Sequence, residues 1–529
     1  MAWGAGDTTE AGIRPDAGAV LALLACLAAA ATIQFPLPLN HDAAWHFYTS
    51  LRVLAGDELG REIFDINPPM SAWLFLPAAL VVEATGLSPS VVFKAFTLLV
   101  SFTWALWTCR LAGAFDHGAP WRRALVIGMV LFVMPGYDFG QREQFVLALT
   151  LPYLALAVMR AGGTSIALLQ AVLVGVSAGL GIGIKPYFVA LPICIELWLL
   201  LRTRRIASVL RPETVALAAV GVVYLGAVAV FAPAYYSEVV PDAMVGYGGF
   251  KVPLADFAGR FLHYLAFALG AIALAMFATG RRIQPLAAQA TLTGAAGFAV
   301  AALMQQKGWA YQLYPVAALV VLAAATILAR GDSARHPYLA GAVLLLAAAV
   351  LGQPAAFLVD GYSSTGTAAR VAALTKVFRE RAGPDETVFA FITSPRDVHP
   401  AMLESRRRWA GSTGVMPYLP AEVAAMAKPR KDGDFQRIVR VSDASSRATL
   451  RRIEQERPAV IVVDDRRDKL GMEFADFDYI AYFGKYPEFR ALWSGYEEGR
   501  RIGTFRIFLR RSAAPVTRTA DPPRFAGNG

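Results

Sequence analysis

Charge is scarce in this chain. Charged residues make up 17% of its 529 residues, against about 25% in an ordinary soluble protein. A soluble globular chain is thereby excluded. Cysteine is scarcer still. Cys26, Cys109 and Cys194 lie inside apolar runs or at their ends, which suits small packing residues and excludes a disulfide framework or a cysteine metal site. No cluster of His, Cys, Asp and Glu has convincing metal-ligand spacing. A net charge of +10 invites a nucleic-acid partner, but no basic stripe is interleaved with aromatics, so nucleic acid is excluded as a partner. The arginines gather instead in short loops such as Arg202-Thr203-Arg204-Arg205. No internal repeat is present, which argues against a transporter.

Apolar residues are what the chain has in excess: 56% of the total, with a mean hydropathy of +0.45. Runs of about 18 residues or more recur, the length that crosses a hydrocarbon core. The first, 17–35, has no strongly charged segment before it and no clean small-residue cleavage site. It reads as a retained membrane helix and not a removed signal peptide. Further segments follow at 68–83, 91–108, 124–135, 145–159, 166–184, 188–201, 215–231, 257–278, 286–304, 313–328 and 339–357. The sequence therefore predicts a polytopic α-helical membrane domain over 17–358, with about 11–13 membrane helices, behind a disordered N-terminus, 1–16. Past 358 the charges become dense and the apolar runs shorten. Segments 386–392, 459–463 and 504–509 read as strands, and 445–457 as an Arg-rich helix. This predicts a soluble α/β domain over 359–512 and a Pro-rich disordered tail, 513–529.

The arginines set the orientation. Arg110, Arg122 and Arg123, then Arg160, then Arg202 to Arg211, then Arg281 and Arg282, then Arg330 and Arg335 occupy every second loop. Those loops are expected in the cytoplasm and the alternate ones outside. The parity works only if the short segment 68–83 does not cross. It is expected to be a juxtamembrane or re-entrant helix within an outer loop, 38–84, giving eleven crossings and a C-terminal domain outside.

That outer loop carries Asp42, Asp57, Glu58, Glu62 and Asp65 in a region otherwise poor in acids. Asp42 follows the first membrane helix and is flanked by His41, Trp45 and His46. Such a carboxylate can take a proton from an attacking hydroxyl, or it can cap the helix that follows. Asp65 can pair with Asp42, hold Arg52 or Arg61, or simply form the turn of Asp65-Ile66-Asn67-Pro68-Pro69. Arg142 and Glu143 interrupt an apolar region, as a functional site or as a structural pair. Lys185 can snorkel to the interface or hold a lipid phosphate. Around Lys307, the Gln-Lys-Gly cluster offers donors for a phosphate, and Trp309 and Tyr311 suit an interfacial belt.

An Asp just after the first membrane helix, a Gly-x-x-x-Gly stretch from Gly56 to Gly60, and Asn67-Pro68-Pro69 opening a short helix together resemble membrane glycosyltransferases of the GT-C fold. The resemblance is to the protein O-mannosyltransferase and aminoarabinose transferase branch. It implies a shared module of seven membrane helices with two juxtamembrane helices in the first outer loop. It also implies an enzyme that takes a sugar from a polyprenyl-phosphate carrier, with inversion, and passes it to an envelope lipid, glycan or protein. The site would face the periplasm of a bacterial inner membrane. Asp42 matches the catalytic Asp of the family, with Asp65 as the second acid. Lys185, Lys307 and Arg142 become phosphate-binding candidates. Glu143, His41 and Asn67 become substrate contacts, and Trp309 and Tyr311 the lining of an isoprenyl groove. The mannosyltransferase branch has an acidic pair where this chain has His41-Asp42, which weakens the case for a divalent cation, so that no cofactor is firmly implied, and leaves the sugar undefined. The resemblance does not reach the C-terminal domain. The rival readings are a glycolipid transporter or flippase and a non-catalytic glycan-assembly protein.

Overall fold

A computed structural model describes residues 16–114, 119–246, 252–279, 285–329, 352–427, 433–473 and 475–511. The expected disordered ends, the basic residues Arg281, Arg282, Arg330 and Arg335, and most of the apolar run 339–357 lie outside the described residues.

The membrane part is built from α1 (Ala17–Gln34), α2 (His41–Leu54), α3 (Met70–Trp73), α4 (Leu76–Thr85), α5 (Pro89–Ala112), α6 (Pro120–Gly128) and α7 (Arg142–Ala161). It continues with α8 (Leu168–Gly183), α9 (Ala190–Thr203), α10 (Pro212–Phe231), α11 (Val240–Gly246), α12 (Leu254–Thr279), α13 (Leu286–Gln305) and α14 (Tyr314–Ala329). Among the described residues, seven helices are long and apolar enough to cross a membrane, and Leu76–Thr85, Leu168–Gly183 and Leu265–Phe277 are shorter apolar helices. The expected helix over 68–83 is two helices, α3 and α4. Pro77 accounts for the break: it lacks an N–H, is best placed in a helix's first turn, and stands in the first turn of α4. Both, with α2, lie in the loop between α1 and α5, where non-crossing helices were expected.

At the centre stands α7, buried along almost its whole length and packed against α5, α8, α9, α13 and α14. At the rim stands α10, whose Val222 and Val223 are 71% and 70% exposed. Side chains so apolar and so exposed require an apolar surrounding, which a bilayer supplies. Cys26 and Cys109 are buried packing residues, and Cys194 is half-buried. A Cβ at Gly128 would stand 2.8 Å from Cys26 Sγ, so glycine there lets α6 close on α1.

Beyond the bundle, β1 (Thr387–Phe391), β2 (Arg408–Trp409), β3 (Val460–Asp464), β4 (Tyr496–Ile502) and β5 (Phe505–Arg510) form one sheet in the order β2-β1-β3-β5-β4. The first three are parallel, and β5 and β4 are added antiparallel. β1 and β3, Thr-Val-Phe-Ala-Phe and Val-Ile-Val-Val-Asp, are buried on both faces, as uninterrupted apolar strands must be. This α/β domain sits on the short helices between α1 and α5. Its helix Val398–Ser405 packs on α2, the Trp409 amide donates to Tyr48 Oη at 2.8 Å, and the Phe64 amide donates to the Ser412 carbonyl at 2.9 Å.

Candidate active site

The site begins at the start of α2. Asn40 caps this helix, its Oδ1 accepting from the amides of Asp42 at 2.9 Å and Ala43 at 3.4 Å. The cap is therefore Asn40 and not Asp42, because the chain enters the helix two residues earlier than the apolar pattern suggests. Asn caps as well as Asp does, and it leaves the Asp42 carboxylate free. Asp42 lies in the first turn, where the positive end of the helix favours an anion.

Ninety-nine residues on, Gln141 completes the arrangement. Its Nε2 donates to Asp42 Oδ2 at 3.0 Å and to Asn40 Oδ1 at 3.1 Å. His41 Nε2 is 3.6 Å from the other Asp42 oxygen, and its Nδ1 is 2.6 Å from Tyr137 Oη. Asp138 follows Tyr137, with its Oδ1 3.5 Å from Asn40 Nδ2. Gly140 joins this turn to α7 at φ +82°, and a Cβ on it would come within 2.6 Å of the Phe93 ring. Only glycine meets both demands.

Asp65 holds its neighbours. Its Oδ1 accepts from the Asn67 amide at 2.9 Å and from Asn67 Nδ2 at 2.7 Å, and its Oδ2 lies 3.5 Å from His46 Nδ1. Asn67 Oδ1 in turn accepts from Arg142 Nη1. The turn and the site are thus one structure. Asp65 does not hold Arg52 or Arg61: Arg52 pairs with Asp57, and Arg61 with Glu58 at 3.0 Å. Those carboxylates lie five and three residues away in sequence and are reached first.

Arg142 and Glu143 do not pair with each other, since successive residues on a helix point to different sides. Glu143 Oε1 takes Lys185 Nζ at 2.5 Å, both groups buried. Lys185 also lies over the Tyr311 ring at 5.1 Å, and Lys307 over the Trp309 ring at 4.7 Å. Lys185 and Lys307 thus stand behind the wall of the cleft, and Arg142 is part of that wall.

The cleft measures about 1690 Å³ with its open mouth. Asp42, Asp65, Asp138 and Arg142 face it from the membrane part, and Trp309 and Tyr311 from the start of the last described span. The α/β domain closes it from above with Thr393 to Arg396, His399 and Gly414. His399 stacks on Trp45, ring centroids 4.9 Å apart, and Arg396 covers the Tyr137 ring at 5.3 Å. Tyr137, Asp138, Gln141 and the roof residues are functional candidates that the sequence reading did not single out. One signal was available for the roof. The Thr393–Arg396 loop follows the carboxyl end of a parallel strand, where open α/β sheets bind ligands.

Charges in the cleft are set by burial and neighbours. Burial alone would raise the Asp42 carboxyl, but His41, Arg142, His46 and the Gln141 amide outweigh it and hold it well below the usual carboxylate range. Both imidazoles are themselves lowered, chiefly by burial. At neutral pH, then, Arg142 and Gln141 keep Asp42 ionised. Asp138 goes the other way: burial, then the charges of Glu143 and Asp42, push it up to about 7. Burial, then Arg142, brings Lys185 down to about 8, and burial, then Lys185 and Arg142, bring Lys307 down to about 6. Among the described residues no three His, Cys, Asp or Glu side chains are gathered as a group that could hold a metal ion.

A central buried helix, short helices between the first two spans, and an α/β domain over an acidic cleft match the GT-C fold. The crystal structure of ArnT from Cupriavidus metallidurans in the apo state is similar over 92% of this chain and 97% of that one, with a TM-score of 0.57 at 13% identity. No protein-family profile matches the chain, and no curated protein does.

Proposed function

We propose that this chain is an inverting glycosyltransferase that takes a sugar from a polyprenyl-phosphate carrier and delivers it to an envelope acceptor at the outer face of a bacterial inner membrane. The acceptor hydroxyl attacks the anomeric carbon opposite the phosphate. As the new C–O bond forms, the bond to the phosphate oxygen breaks, and the phosphate leaves with the electron pair. The hydroxyl proton passes to the Asp42 carboxylate. Arg142, held by Asn67 and through it by Asp65, faces the charge that builds on the phosphate, which is where a fixed cation lowers the barrier most.

The observation that carries this reading is the meeting of Asp42 and Arg142 in one roofed cleft that adjoins an apolar groove. Gly308, Trp309 and Ala310 line both spaces. On the far side Phe257, Phe261 and Leu313 line the groove, which suits an isoprenyl chain whose phosphate reaches the cleft.

Mass spectrometry of envelope glycolipids from cells with and without the gene tests the reaction class. A sugar-modified species that disappears with the gene, while its polyprenyl-phosphate sugar accumulates, is the expected result. Unchanged glycolipids and an unchanged carrier pool contradict it. Orientation is tested separately by labelling Arg61→Cys and Arg500→Cys, both exposed positions. Both should react from the outside, and labelling from opposite sides overturns the placement.

A further inference from the structure

A second cleft lies away from the acidic one, between the membrane helices and the α/β domain. It opens where two candidate spans end, at Phe35–Pro38 after α1 and Ser88–Val91 at the start of α5. Its other wall comes from the domain helix Thr367–Arg381 and the loop after Val398–Ser405. With its open side it measures about 2610 Å³.

Its lining is unbalanced in charge. Lys94, Lys376, Arg379, Arg406 and Arg407 face Glu380 and Glu404. Main-chain carbonyls hold three of the guanidinium groups. Arg379 donates to the Glu404 carbonyl at 2.5 Å, and Arg406 to the Gly86 carbonyl at 2.6 Å. Arg407 donates to the Ala382 and Ser405 carbonyls at 2.9 and 3.2 Å. Lys94 Nζ likewise lies 2.5 Å from the Leu37 carbonyl. A carbonyl fixes a cation in place without cancelling its charge. Glu404 is engaged by the Ser88 hydroxyl at 3.2 Å, and Glu380 lies 3.8 Å from Lys376. The net positive charge therefore stays directed into the cleft.

The apolar half of the lining stands beside it. Phe35 and Val91 are 38% and 42% exposed, at the ends of two helices long and apolar enough to cross a membrane. Preorganised cations above an exposed apolar edge, at the depth where spans end, match an amphiphile with an anionic head and acyl chains. We infer that this cleft binds the phosphate headgroup of an anionic membrane lipid and so seats the α/β domain on the bilayer. The inference does not depend on the reaction proposed above, because none of these residues lines the acidic cleft.

The test is native mass spectrometry of the full-length protein, titrated with phosphatidylglycerol and with phosphatidylcholine of the same acyl chains. Phosphatidylglycerol should be retained in preference. A cation near an anionic surface is worth about fivefold in affinity, so Lys376→Gln with Arg379→Gln should weaken that retention about 25-fold. The charge-keeping pair Lys376→Arg with Arg379→Lys should retain it, which separates lost charge from lost folding. Arg451→Gln, an exposed cation elsewhere, should leave it unchanged. Equal retention of the two lipids, undiminished binding in the double Gln variant, or displacement of the lipid by an equal concentration of inorganic phosphate overturns the inference.

Discussion

Asp42 and Gln141 share a hydrogen bond of 3.0 Å although ninety-nine residues separate them. One belongs to the first turn of a juxtamembrane helix and the other to the N-cap of the central buried helix. The bond fixes the carboxylate relative to the bundle, and Gln141 reaches Asn40 with the same nitrogen.

Gln141→Leu therefore removes a donor from an ionised carboxylate and from the cap of α2 together. A hydrogen bond to a charged group is worth about 1.5–3 kcal/mol, and a stability loss of that size is expected by thermal unfolding in detergent. Turnover should fall as well, because Asp42 loses its orientation. Unchanged stability and turnover would show that the contact is incidental.

Asp138 gives the pH signature. Burial, then the charges of Glu143 and Asp42, push its folded-state carboxyl up to about 7, whereas an unfolded Asp titrates at about 3.9. The folded form keeps the proton longer, so Asp138 costs nothing below about pH 4 and destabilises increasingly between about pH 4 and 7. Asp138→Asn should then raise the melting temperature at pH 8 and leave it nearly unchanged at pH 4. An equal shift at both values contradicts the titration.

The Glu143–Lys185 pair is buried on both sides. Removing one partner of such a pair costs about 3–5 kcal/mol, because the other charge is left uncompensated. Lys185→Met should be strongly destabilising, and Lys185→Met with Glu143→Gln should recover most of the loss. A double variant as unstable as the single one would show that Lys185 does not serve chiefly to neutralise Glu143.

Burial, then Lys185 and Arg142, bring Lys307 down to about 6, so it is mostly neutral before a carrier binds. A phosphate arriving in the cleft whose wall Lys307 backs raises that value and draws in a proton. Carrier affinity should then fall with rising pH above about 6, by up to tenfold per unit. Lys307→Met should flatten the slope, and Trp309→Ala should weaken binding at every pH. A slope that survives in Lys307→Met removes the lysine from the phosphate site.

The sequence made the membrane class legible because spanning helices need long apolar runs, and polar breaks stand out within them. Asp42, Arg142, Glu143 and Lys307 were visible for that reason. Their pairings were not. Whether Glu143 meets Arg142 or Lys185 depends on which helix faces which, and spacing along one helix does not reveal that. The break at Pro77 was missed because an apolar run continues through it. Strands β1, β3 and β5 stood out as apolar segments, whereas β4, Tyr-Glu-Glu-Gly-Arg-Arg-Ile, is polar because its middle residues are exposed. The roof was the least legible part. His399 and Arg396 lie in a segment rich in charges, and only the fold carries them over Asp42.

The most direct test of the central claim is the single-turnover rate of sugar transfer by purified Asp42→Asn. The substitution keeps the shape and the Gln141 contact while removing the proton acceptor. General-base assistance contributes about 10²–10⁴-fold, so a loss in that range is expected in a variant that is expressed and folded. Transfer at the wild-type rate by the folded variant would contradict the assignment of Asp42 and, with it, the chemistry proposed for the cleft.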